Sequence, residues 1–203
     1  MVREDHRPIE GACAWLGTEM VDNSRWRLVL SNDDVAELKA ACASVQQSGI
    51  PWPQMSKADF PLVHLPAKLA DMAEELEHGS GLANLSGLPV EAFGDGLRHV
   101  WYGIGLHMGQ PVEQDGNGLL MRDIQDESQD TDTIFGHKLT ARNGSTFTSS
   151  KARTLSNNLL RFHTDRADVV ALLCLRQAPI GGVSRIASSA TIHNVMLGRH
   201  PDL

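Results

Sequence analysis

The spacing of apolar residues changes partway along the chain, and that change limits the folds open to it. Up to Met108 they recur every three or four positions, as on one face of an α-helix. From Leu159 they form short runs rich in branched residues and bounded by Pro and Gly, the pattern of strands. Between the two regimes lies RDIQDESQDTDTIFGHKLTARNGSTFTSSKARTLSNN, residues 122–158, polar and weakly periodic. A stretch of this kind inside a domain is expected to be a mobile lid or loop. The chain reads as α+β, one domain over 1–203, with helices first and strands last.

Local signals place the elements. WRLVLS, Trp26 to Ser31, reads as a strand running into a helix start, where Ser31 or Asn32 can cap and Asp33 and Asp34 suit the positive helix end. Val35, Leu38 and Ala41 continue the apolar face, and Gly49 should stop the helix before Pro51-Trp52-Pro53. A second helix should follow Pro66, carrying Leu69, Met72, Ala73 and Leu76, with Gly79 just after it. A third should run from about Gly96 to Met108, its Gly103 and Gly105 pointing to close packing against a neighbour. Strands are expected at 159–165, 169–175 and 183–187, the middle one buried with Cys174 inert within it. Pro179 to Gly182 should form a turn, and Ser188 or Ser189 should cap a short helix through His193 to Leu197.

Composition removes several function classes. Apolar residues make up 41% and charged residues 21%, which suits a globular chain and not a disordered one. The net charge is -7 and no Lys/Arg cluster stands out, so no nucleic-acid partner is expected. No apolar run approaches the roughly 20 residues of a membrane span, and no membrane partner is expected. MVREDHRPIEG lacks the apolar core of a signal peptide, and three scattered cysteines make neither a disulfide framework nor a zinc knuckle. A cytoplasmic protein is the expectation, with a homo-oligomer left open.

Within the strand region lies the triplet His163-Thr164-Asp165. A bare His-x-Asp decides nothing, since His200-Pro201-Asp202 is a second match at a site with no strand context. Context separates the two. On a strand, residues two apart share a face, so His163 and Asp165 would aim an imidazole and a carboxylate at one point. One nitrogen and one hard oxygen with open positions opposite is the start of a non-haem iron site. The bland alternative is a strand-end histidine paired with an aspartate. Arg161 would share the same face and could meet an anionic substrate, or simply reach solvent at a barrel mouth. His137, in the polar stretch, is a weak substrate-contact candidate. Asp168 reads as a loop acceptor, His107 and Trp101 as packing residues, and Tyr102 has no evident partner.

The surrounding sequence, FHTDRADVVALLCLRQAPIGGVSRIASS, resembles the central segment of the taurine dioxygenase (TauD/TfdA) family of iron(II)- and 2-oxoglutarate-dependent oxygenases. Phe162 precedes the triplet, an apolar run follows, and Gly181-Gly182-Val183-Ser184 matches the family's Gly-Gly turn. The likeness is specific over Leu159 to Leu197, and GLANLSGLPVE and VWYGIGLHMGQPVEQ also resemble stretches of the family. It implies a double-stranded β-helix, a cupin-like jelly roll with flanking helices. It implies Fe(II) held by His163 and Asp165, and Ser184 on the distal carboxylate of the cosubstrate 2-oxoglutarate. It implies a dioxygenase that uses O₂ to hydroxylate a small-molecule substrate while 2-oxoglutarate becomes succinate. The intact Asp165 carboxylate points to hydroxylation and away from halogenation.

The family pattern also has a second His, roughly a hundred residues or more beyond the first, and an Arg for the 2-oxoglutarate tail. Asp165 is followed by 38 residues (203 less 165), and only His193 and His200 come later. His193 falls in the predicted last helix and reads as a surface or packing residue. The third ligand and the Arg are therefore not expected in this chain, and the barrel should be incomplete at its C-terminal side. Two other functions stay open: a non-catalytic or partner-dependent fragment or homologue, and a cupin-like protein that binds a small ligand without redox chemistry.

Overall fold

Ser31 opens the longest helix among the described residues through a reciprocal cap. Its side chain accepts from the Asp34 N–H at 3.2 Å, and the Asp34 carboxylate accepts from the Ser31 N–H at 2.8 Å. The computed structural model describes residues 7–114, 118–125, 138–140, 146–148, 160–165 and 167–200. A single helical turn, α1 (Gly17–Met20), leads to β1 (Arg27–Val29) and then to the capped helix, α2 (Asn32–Ser48). Gly49 ends α2 in the left-handed region at φ 71°, a conformation that glycine adopts without strain. Two 3₁₀ turns, Trp52–Gln54 and Lys57–Asp59, connect to α3 (Leu65–His78). Next come β2 (Asn84–Ser86) and α4 (Leu97–Met108), then the hairpin strands β3 (Lys138–Thr140) and β4 (Thr146–Thr148), and finally α5 (Ser189–Arg199). Ser188 caps α5, its hydroxyl accepting from the Thr191 N–H at 3.0 Å. The expected helices thus form where spacing and capping residues place them. No helix among the described residues is long and apolar enough to cross a membrane.

The core sits where α2, α3 and α4 meet. Leu38, Ala41, Cys42 and Val45 of α2 are buried at helical spacing, as are Leu65 and Leu69 of α3 and Val100 and Ile104 of α4. Phe60 is the largest fully buried side chain among the described residues, and Gly103 makes its seat: a Cβ on Gly103 would run into the Phe60 ring. The expected close packing is therefore real at Gly103, whereas nothing lies within 4 Å of a Cβ on Gly105. Tyr102 does have a partner, the ring of Trp52, met edge-on at a centroid distance of 5.3 Å. The two histidines of α4 hold the preceding connection: His99 Nε2 donates to the Ile50 carbonyl at 3.3 Å and His107 Nε2 to the Phe60 carbonyl at 2.8 Å.

Helix α3 begins without a cap of its own. Glu37 of α2 supplies one from across the interface, its carboxylate accepting from the N–H groups of Val63, His64 (3.0 Å) and Leu65 (2.9 Å). Burial acts to raise the Glu37 carboxyl, but these three donors outweigh it and hold it below the usual carboxylate range. Glu37→Ala is expected to lower stability by about 1–2 kcal/mol, the range for a lost helix cap. Amide exchange at Val63 to Leu65 should rise with it, and unchanged urea unfolding would refute the assignment.

The chain divides into two units, Met1–Pro111 with Ala171–Leu203, and Val112–Val170. In the first, β1 and β2 pair in parallel with Leu28 opposite Leu85. In the second, β3 and β4 pair antiparallel with Leu139 opposite Phe147. That hairpin falls in the stretch read as an unstructured lid; most of 122–158 lies outside the described residues.

The strands expected at 159–165, 169–175 and 183–187 are not formed. Residues 160–165 and 167–187 are neither helix nor strand, Leu159 and Arg166 lying outside the described residues. The run expected to be buried is open: Val169 is 51% exposed, Leu172 67%, and Cys174 is exposed as well. A strand satisfies its backbone only through a neighbour. Among the described residues, strand pairing is confined to β1 with β2 and β3 with β4. The result is a mixed fold of helix and strand whose described strands close no barrel.

Candidate metal centre

His163 and Asp165 belong to the second unit, on a stretch that forms no strand, yet their side chains do face one another. His163 Nε2 stands 3.9 Å from Asp165 Oδ1. His163 Nδ1 lies 2.8 Å from the carbonyl of Arg161. A carbonyl only accepts, so Nδ1 carries the proton, and in the neutral ring Nε2 keeps its lone pair. A main-chain acceptor on the far nitrogen is how metal-binding imidazoles are oriented. Nε2 is the nitrogen on the carboxylate side.

Geometry tests the fit. Two ligands each about 2.1 Å from a first-row divalent ion, at right angles, stand about 3.0 Å apart. The observed 3.9 Å is wider than that by about 0.9 Å. Both side chains have room to close the gap by rotation, being 36% and 53% exposed. One nitrogen and one hard oxygen suit Fe(II) and leave its other positions open. No group of three or more His, Cys, Asp or Glu positioned to hold a metal occurs among the described residues. A facial triad needs three donors, and this pair offers two.

Ser184 is exposed and lies in the first unit, on 183–187. The Arg161 side chain is exposed, and the part of residue 161 that bears on the site is its carbonyl. Main-chain acceptors leave no trace in residue type, so sequence reasoning had no signal for it. His137 lies outside the described residues. Asp168 is exposed. In the first unit a cavity of about 230 Å³ is lined by Trp15, Glu19, Arg25, Glu75 and Ser80, among others. Its charges are already engaged: Glu75 accepts from the Ser80 N–H at 2.9 Å and hydroxyl at 2.7 Å, with Arg25 Nε at 3.7 Å. It offers no free donor set to compete with His163 and Asp165.

Comparison with known proteins agrees with the triplet's context. Residues 46–203 match the model of the "Taurine catabolism dioxygenase TauD, TfdA family". "FR-33289 synthase" of Streptomyces rubellomurinus is 31% identical over 207 residues, covering 100% of this chain and 56% of that protein. "Taurine hydroxylase-like protein SAT17" of Stachybotrys chartarum is 30% identical over 193 residues, covering 94% of this chain and 48% of that protein. The chain spans about half the length of these curated relatives.

Proposed function

The chain belongs to the taurine catabolism dioxygenase family, TauD/TfdA, and on that premise we propose that the protein is an Fe(II)- and 2-oxoglutarate-dependent dioxygenase that hydroxylates a small organic substrate. The observation that carries the reading is His163, its Nδ1–H held by the Arg161 carbonyl and its Nε2 turned toward Asp165. His163 and Asp165 are the residues that would hold the metal. Bound iron with 2-oxoglutarate supplies the oxidising power, O₂ being consumed as the cosubstrate loses CO₂ to give succinate. Ser184 would donate its hydroxyl to the distal carboxylate of 2-oxoglutarate. The Arg161 carbonyl keeps the proton of the neutral imidazole on Nδ1, which leaves Nε2 as the nitrogen that would bind the metal. The Asp165 carboxylate would fill a position that halogenation would need open. The names of the relatives, a synthase and a hydroxylase-like protein, are compatible with this chemistry. The fold proposed to house it is the family's double-stranded β-helix, to which 160–187 would contribute strands. Cys13, Cys42 and Cys174 are free thiols, which suits the cytoplasm as the proposed setting.

The test is an anaerobic titration with Fe(II), then 2-oxoglutarate, following the visible charge-transfer absorption of the chelate. His163→Ala and Asp165→Ala should each weaken Fe(II) binding by at least about tenfold. Ser184→Ala should leave Fe(II) binding intact and weaken 2-oxoglutarate. Unchanged Fe(II) affinity in His163→Ala, in a sample with native circular dichroism, would remove the metal assignment.

A further inference from the structure

Four side chains at and within α5 grip the main chain of the N-terminal segment. The Ser188 hydroxyl donates to the Cys13 carbonyl, and the Thr191 hydroxyl donates to the Trp15 carbonyl at 2.7 Å. Asn194 binds Ile9 twice: its Oδ1 accepts from the Ile9 N–H at 2.7 Å, and its Nδ2 donates to the Ile9 carbonyl at 2.8 Å. His193 Nε2 lies 3.2 Å from the Arg7 carbonyl. Ser188, Thr191 and Asn194 are three residues apart in turn, so they line one face of the helix. Residues 7–15 form no helix or strand, and here their main-chain groups find in α5 the partners that a ladder would otherwise give.

Two further observations show what holds this contact. Helix α5 has no buried residue, and Ile192, Val195 and Met196 are 42–49% exposed, so apolar burial contributes little to its docking. The far end of the N-terminal segment is fixed independently, Trp15 being 9% exposed with its indole N–H on the Ser80 carbonyl at 2.8 Å. One end of the segment is thus seated in the core, and the other is held by polar bonds to a single helix.

We propose that residues 7–15 and α5 form a polar latch that holds 171–200 in place and opens without unfolding α2, α3 and α4. The latch reads main chain, so the side chains of Arg7 and Ile9 matter little to it and the Ile9 N–H matters a great deal. Its consequence for Ser184, which precedes Ser188 by four positions, rests on the proposed function. The latch itself does not.

Hydrogen–deuterium exchange on the full chain tests it with three variants. Asn194→Ala and Ile9→Pro should each raise exchange across Ser189–Arg199 by at least about tenfold while α2 and α4 keep their protection. Ile9→Ala, which keeps both main-chain groups, should match the unsubstituted protein. The latch is overturned if α5 protection survives Asn194→Ala, or if α2 and α4 lose protection along with α5. Equal effects of Ile9→Ala and Ile9→Pro would overturn main-chain reading. In the same variants the 2-oxoglutarate affinity reports on Ser184 separately, so failure there leaves the latch standing.

Discussion

Phe60→Ala is expected to remove about 3–5 kcal/mol of stability, the largest loss from any single substitution in the helical core. The ring is 0% exposed, and its seat is cut into α4 at Gly103. Two features keep the site from collapsing once the ring is gone. The backbone at residue 60 stays pinned, because its carbonyl receives His107 Nε2 at 2.8 Å. The wall opposite is helix backbone, which cannot move in without breaking its own hydrogen bonds. The converse substitution is also costly. Gly103→Ala drives a methyl into the Phe60 ring and should lose about 1–3 kcal/mol through overpacking. In a Phe60→Leu background that second loss should shrink, since the smaller, more flexible chain can step aside. The four proteins of this cycle, compared by urea unfolding, should show a coupling of about 0.5–3 kcal/mol. Strict additivity would mean that residues 60 and 103 do not share one packing site.

Helices were legible in the residues because their signals are local. Ser31 and Ser188 cap, Gly49 and Gly79 stop, Pro66 sits in the first turn of α3, and each acts within one turn of itself. Of the strands, WRLVLS could be read, and β1 forms within it at Arg27–Val29; the rest could not, because a strand is defined by its partner. The apolar pattern of 169–175 is present, but no described neighbour turns it into sheet. Conversely, β2 in GLANLSG alternates only from Ala83 to Ser86, too short a run to announce a strand, and it forms because Trp26 to Leu30 lies beside it, with the Asn84 N–H on the Trp26 carbonyl at 2.7 Å and the Leu30 N–H on the Ser86 carbonyl at 2.9 Å. At the site, His163 and Asp165 do face one another, but the strand offset expected to bring them together does not account for it, since 160–165 form no strand. The Arg161 carbonyl could not be read from the residues. The stripe of Ser188, Thr191 and Asn194 is visible in the residues, while its partner, a main chain some 180 positions away, is not.

Acid should unfold the helical core through three carboxylates, and one of them can be isolated. Asp34 is 2% exposed; Lys68 Nζ at 2.6 Å pulls its carboxyl below the usual range, against burial, with Ser31 helping. Burial works to raise Glu37 and Glu75, but donors from Val63, Leu65 and His64 and from Ser80 outweigh it, so both are also lowered. A group whose carboxyl is lowered by folding binds fewer protons in the native state. Its contribution is complete above the unfolded carboxylate range, near about pH 4, and disappears as pH falls through the native value. Stability should therefore be flat near neutrality and fall steeply below about pH 4. Lys68→Met removes the main support of Asp34 and leaves a buried carboxylate held by Ser31 alone. It should cost about 2–3 kcal/mol near pH 7, a figure kept low because Lys68 is 40% exposed and water takes part of its place. At about pH 3 the gap from the unsubstituted protein should close, because a protonated Asp34 has no need of a cation. Asp34→Asn in the Lys68→Met background keeps a capping oxygen without the charge, and should recover most of the loss at neutral pH. A gap that stays the same at both pH values would show that Lys68 acts through the packing of its stem, and that the buried charge contributes nothing.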